Sequence, residues 1–134
     1  MKTKKVIAAV LVLMMVSGFA LAERSKLDIA LLNLYASSHC EENFECKYDE
    51  DKDIMIMTVS VPEISKSEWI IYEKTKIDSA IEKLTNEVPI IHETINDQFP
   101  EEEIDTIFKV EIAGNYPVIV FMNGKNVSKI LNLN

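Results

Sequence analysis

Residues 104–125 read IDTIFKVEIAGNYPVIVFMNGK, and the pattern in this stretch decides the fold. Ile104, Thr106, Phe108, Val110 and Ile112 occupy every second position, with Asp105, Lys109 and Glu111 between them; a period of two marks one face of a strand. Ile107 is the one break in the alternation. The even set is expected to pack under helices, leaving an outward face that is polar. Ala113-Gly114-Asn115 turns the chain, and residues 117–122 form the next strand. Asn123-Gly124 is the strongest two-residue hairpin signal, so residues 125–131 should return as a third strand.

Upstream, Ser25 followed by Asp28 reads as a helix N-cap with an acid at its third position. Leu27, Ala30, Leu31 and Leu34 repeat at helical spacing, predicting a helix over 26–38. Residues 39–43 are its polar exit. Phe44, Cys46 and Tyr48 then alternate with Glu45, Lys47 and Asp49, and after a charged turn residues 54–61 are nearly all β-branched or Met, a hairpin ended by Pro62. Ser65 and Glu68 form a capping-box pair opening a second helix over 66–87, with Ile70, Ile77, Ile81, Leu84 and Val88 on one face. The strand propensity of residues 69–72 leaves a short strand before a shorter helix as the alternative. Pro89 suits the start of a third helix, offset by a kink, in which Ile91, Ile95 and Phe99 share a side until Pro100. The order α-ββ-αα-βββ predicts an α+β fold: a single two-layer domain, with an antiparallel sheet of about five strands and helices on one face.

The N-terminus reads as an export signal. Lys2, Lys4 and Lys5 precede an uncharged apolar run over 6–19, and Ala20-Leu21-Ala22 is a small-x-small cleavage site. Residues 1–22 are therefore expected to be a signal peptide, and 23–134 a single globular domain of 112 residues, enough to bury a core. The destination is the periplasm or the outside of the cell. No later stretch is apolar enough to enter a membrane. All 22 acids lie after the cleavage site and 11 basic residues remain with them, a net charge of −11. Such a charge speaks against nucleic acid and anionic membrane surfaces, and it suits a cationic protein partner.

In an oxidising compartment Cys40 and Cys46 are expected to form a disulfide closing a short loop. A metal site from His39, Cys40, Cys46 and His92 has poor ligand spacing. Asp49, Asp51 and Asp53 resemble the opening of a calcium loop, but Ile54 and Ser60 stand where such a loop needs Gly and a bidentate acid; the competing reading is a solvated hairpin tip. Glu101-Glu102-Glu103 likewise reads as a solvated turn. His92 beside Glu93 is not a general-base pair, because adjacent helical residues point about 100° apart. Asn126-Val127-Ser128 fits an N-glycosylation sequon. No GxSxG, HExxH, P-loop or GxGxxG occurs.

Residues 116–125, with their proline, apolar strand and Asn-Gly turn, resemble the end of thioredoxin-like domains over about ten residues. That family's CxxC is replaced here by Cys40-x5-Cys46. The expectation from sequence is an exported, non-enzymatic domain without cofactor that binds another protein as an assembly factor, adaptor or inhibitor. The alternative is an exported enzyme or thioredoxin-like redox protein whose residues leave no motif.

Overall fold

The computed structural model describes residues 24–131. The export signal expected at 1–22 lies outside the described residues. Eight elements follow in order: α1 (Lys26–Ser38), β1 (Phe44–Asp49), β2 (Ile54–Val61), α2 (Lys66–Ile70), α3 (Lys74–Gln98), β3 (Asp105–Ile112), β4 (Tyr116–Met122) and β5 (Lys125–Asn126). The five strands form one sheet in sequence order, so the α+β class holds. Its antiparallel character does not hold throughout. β1–β2, β3–β4 and β4–β5 are antiparallel, but β2 and β3 run parallel from Ile54 opposite Asp105 to Val61 opposite Ile112. The cause is α3, which carries the chain back along the sheet before β3 begins; a parallel pair requires such a crossover.

Registers assign the faces. Cys46 and Tyr48 of β1 align with Met57 and Met55 of β2, and these with Phe108 and Thr106 of β3. Leu32 and Ala36 of α1, and Val88 and Ile95 of α3, pack against this face to form the main core. As expected, Ile104, Thr106, Phe108 and Ile112 are buried under the helices. The opposite face is not simply polar. Lys109 and Glu111 pair there at 3.1 Å, but Ile54, Ile107 and Val120 form a second cluster with Leu131. The third C-terminal strand accordingly stops after two residues. Asn126 Oδ1 accepts from Ser128 N, Ser128 Oγ accepts from Val120 N at 2.9 Å, and the chain folds over the second face instead of extending the sheet.

The helices also depart from the sequence reading. The long second helix breaks after α2, whose Ser65–Glu68 capping box is present, and residues 71–73 separate it from α3. Pro89 does not start a helix; it lies inside the 25 residues of α3. Proline there removes a backbone donor, yet Val88 and Ile95 anchor both sides of it in the core. Gly124, at φ +81°, lets the β4–β5 turn approach Pro89 so closely that a Cβ would meet its Cα at 3.0 Å.

Helix α1 spans the predicted residues, but the leucines whose spacing marked it, at 27, 31 and 34, are 68 %, 43 % and 63 % exposed, whereas Leu32 is fully buried. The helix carries two apolar faces, and the sheet takes the one containing Ile29, Leu32, Tyr35 and Ala36.

Candidate binding surfaces

The residues singled out from sequence are held in structural roles. Arg24, beside the expected cleavage site, donates Nε and Nη2 to the Asp53 carboxylate, and Tyr48 donates its hydroxyl to the same group. Arg24 Nη2 also reaches the carbonyls of Glu102 and Glu103 at 3.1 and 3.2 Å. Burial works against the guanidinium charge, but the Asp53 hydrogen bond and charge outweigh it and hold Arg24 above its ordinary value. One oxygen of Glu102 is buried near this cation and has no hydrogen-bond partner among the described residues. Asp49 instead accepts from the backbone of Asp51 and Lys52, so the three aspartates do not converge as calcium ligands would. Among the described residues no group of three or more His, Cys, Asp or Glu is arranged to hold a metal ion.

His92 turns away from Glu93. Its Nδ1 lies 2.8 Å from Thr106 Oγ1 and its Nε2 3.5 Å from Glu103 Oε1. A hydroxyl, an imidazole and a carboxylate in line have the composition of a nucleophile relay. Thr106, however, is 2 % exposed and its backbone N–H bonds to Asn123 Oδ1, so no substrate reaches the hydroxyl. The array is a polar bridge from α3 to β3, reinforced by Asn96, whose side chain bonds both the N–H and the carbonyl of Ile104. Nearby, burial pushes the Asp105 carboxyl up, partly offset by donation from Asn123 Nδ2 at 3.1 Å.

Both cysteines are free thiols in the structure, Cys40 exposed and Cys46 buried. Cys40 Sγ rests on the backbone of its expected partner, 3.3 Å from Cys46 O and 3.5 Å from Cys46 N. Cys46 Sγ faces inward, 3.5 Å from Met55 Sδ, where burial, with a contribution from Cys40, pushes its thiol up to about 11. A thiol so reluctant to ionise is a poor nucleophile at neutral pH.

Two surfaces have features the sequence reading did not single out. The first is the outward leucine row of α1. The second is an open hollow of about 820 Å³ between α2, the first turns of α3, and the ends of β4 and β5. Helix α3 rises about 37 Å over 25 residues, against about 26 Å for an eight-residue strand, so the strands cannot cover its full length. Ile77 and Ile81 in its first half are therefore only half-buried and face the hollow with Trp69, Ile70 and Tyr72. Trp69 and Tyr72 stack with centroids 6.3 Å apart. Lys66, Lys74 and Lys129 line the same hollow, Lys66 Nζ lying 4.6 Å from the Tyr116 ring centroid. The signal for this site was present in the sequence: the apolar run at 69–72 has more hydrophobic surface than a five-residue helix can bury.

Among the described residues no helix is long and apolar enough to cross a membrane. Comparison with known proteins found no matching family model, no matching curated protein and no matching solved structure.

Proposed function

We infer that this chain is an exported, non-catalytic domain that works by binding another protein, and that α1 is the contact. The observation that carries this reading is the leucine row at 27, 31 and 34, exposed on a helix whose opposite face already fills the core. A helix apolar on both faces ordinarily lies between two partners, and the sheet is one of them. Glu41, Glu42 and Glu45, all exposed, follow α1 in the chain, so the fitting partner presents an apolar strip flanked by Lys or Arg. Repulsion between two copies of an exported domain with a net charge of −11 works against self-pairing through this face. A redox role is disfavoured by the buried, high-pKa thiol of Cys46 and the lack of a CxxC. Cys40 and Cys46 are proposed to be joined by a disulfide after export, tying the exit of α1 to β1.

A photo-crosslinking residue at Leu31 tests the reading. In cells it should yield one adduct of defined mass, absent when the same residue stands at Glu82 on the exposed side of α3. Leu31→Lys should abolish the adduct while leaving the circular dichroism spectrum unchanged. Equal labelling from both positions, or a dimer of the chain itself, would overturn it.

A further inference from the structure

We propose that the hollow between α2, α3 and the β4–β5 edge is a binding site for a monomeric anionic amphiphile, an aliphatic chain ending in one carboxylate. Size and lining come first. At about 820 Å³ it falls within the range of small-molecule sites, roughly 300–1,000 Å³, and its walls are the apolar surfaces of Trp69, Ile70, Tyr72 and Ile77. Ile70 is 71 % exposed although it borders this concavity, so a ligand chain lying along it would remove apolar surface from water that the fold leaves uncovered.

Charge then selects the head group. The chain holds 22 acids against 14 basic residues, yet Lys66, Lys74 and Lys129 gather around this hollow and none forms an ion pair among the described residues. Among the described residues Asp78 is the single acid in the lining. With acids in such excess, ammonium groups left without carboxylates around a greasy wall make a local positive field, while the repulsion from the rest of the molecule is screened beyond about 8 Å at physiological ionic strength. An apolar tail with a negative end satisfies both parts of the site. A cationic amphiphile would meet three like charges. The competing account is that the lysine stems merely cover apolar surface with their heads in water.

Trp69 is the only tryptophan of the chain, so its emission reports on this site directly. The whole exported domain is titrated with dodecanoate below its micellar concentration, and in parallel with dodecanol, dodecyltrimethylammonium and vesicles of anionic phospholipid. The proposal expects a saturable blue shift with dodecanoate, at an affinity at least tenfold above that for the cationic probe. Replacing Lys66, Lys74 and Lys129 together by Gln should weaken dodecanoate about tenfold and leave dodecanol unchanged. Equal affinity for the cationic probe, no effect of the lysine substitutions, or no saturable shift would overturn the site. Binding to anionic vesicles without binding to monomeric dodecanoate would overturn it in favour of a membrane surface. Leu31→Lys should not alter the titration, which separates this site from the α1 contact.

Discussion

Asp53 is the residue whose role the fold changes most. From its place in an alternating run of aspartates it reads as part of a solvated hairpin tip, yet its carboxylate is shared between Arg24 and Tyr48. Arg24 retains only 5 % side-chain exposure, so removing its partner strands a buried cation. Asp53→Asn should therefore cost about 3 kcal/mol, whereas Asp51→Asn, on the exposed tip, should stay within about 0.5 kcal/mol; urea unfolding of the two variants separates them. Cysteine chemistry is also decided residue by residue. If the proposed disulfide forms, exported material should contain no titratable thiol under denaturing conditions. In the reduced protein the pH dependence has a definite sign. Cys46 has its folded pKa raised from 9.0 to about 11, so its neutral form is favoured by the fold. That contribution is complete below pH 9 and is lost as pH rises from 9 to about 11. Burial, followed by the Asp53 hydrogen bond, raises Tyr48 as well, extending the loss to higher pH. Thermal unfolding of reduced Cys46→Ala against the parent should show a shallower decline over that window.

At the scale of elements, α1 carries two apolar faces with different fates. Leu32 is fully buried, so Leu32→Ala should cost about 2–5 kcal/mol, while Leu31→Ala at 43 % exposure should change stability little and should act on partner binding. Denaturation midpoints and the Leu31 crosslink read these effects separately. The β4–β5 turn shows how one glycine couples two elements. Gly124→Ala forces a side chain into a left-handed backbone and against Pro89, and it should destabilise by more than about 1 kcal/mol. Gly114, also at positive φ but with open space around it, should pay only the backbone part. The uneven burial of α3 is what positions the hollow: its second half lies in the core through Val88 and Ile95, and its first half borders the cavity.

Over the whole molecule, charge is segregated. The β1–β2 turn and the glutamates after α1 are acidic, and three lysines collect at the hollow. An acidic surface speeds encounter with a cationic partner, and salt removes that advantage. Asp49→Asn with Asp51→Asn, leaving Asp53 in place, should slow association with the partner captured from Leu31 and flatten its salt dependence without changing the unfolding midpoint. Stopped-flow rates at two ionic strengths check this. A rate indifferent to both changes would leave the turn as a solubilising tip.

Local chemistry carried much of this chain into structure. The period of two from Ile104 to Ile112 marked a strand and the face that meets the helices, because alternate side chains leave a strand on opposite sides; that Ile107 is buried on the other side was set by Ile54, Val120 and Leu131, which lie elsewhere in the chain. Ser65–Glu68 and Asn123-Gly124 likewise became a capping box and a turn with two positive φ values, since both are satisfied within a few residues. Wherever two solutions were locally equal, only the tertiary structure decided. Nothing within α1 says which of its apolar faces meets the sheet. Pro89 both suits a helix start and can be carried inside a helix whose flanks are anchored. The parallel pairing of β2 with β3, the Arg24–Asp53 contact across 29 residues of sequence and the gathering of Lys66, Lys74 and Lys129 join residues far apart in the chain. Periodicity records how a segment divides its own surface; which surfaces then meet depends on the shape of every other segment, and that is known only once the chain has packed.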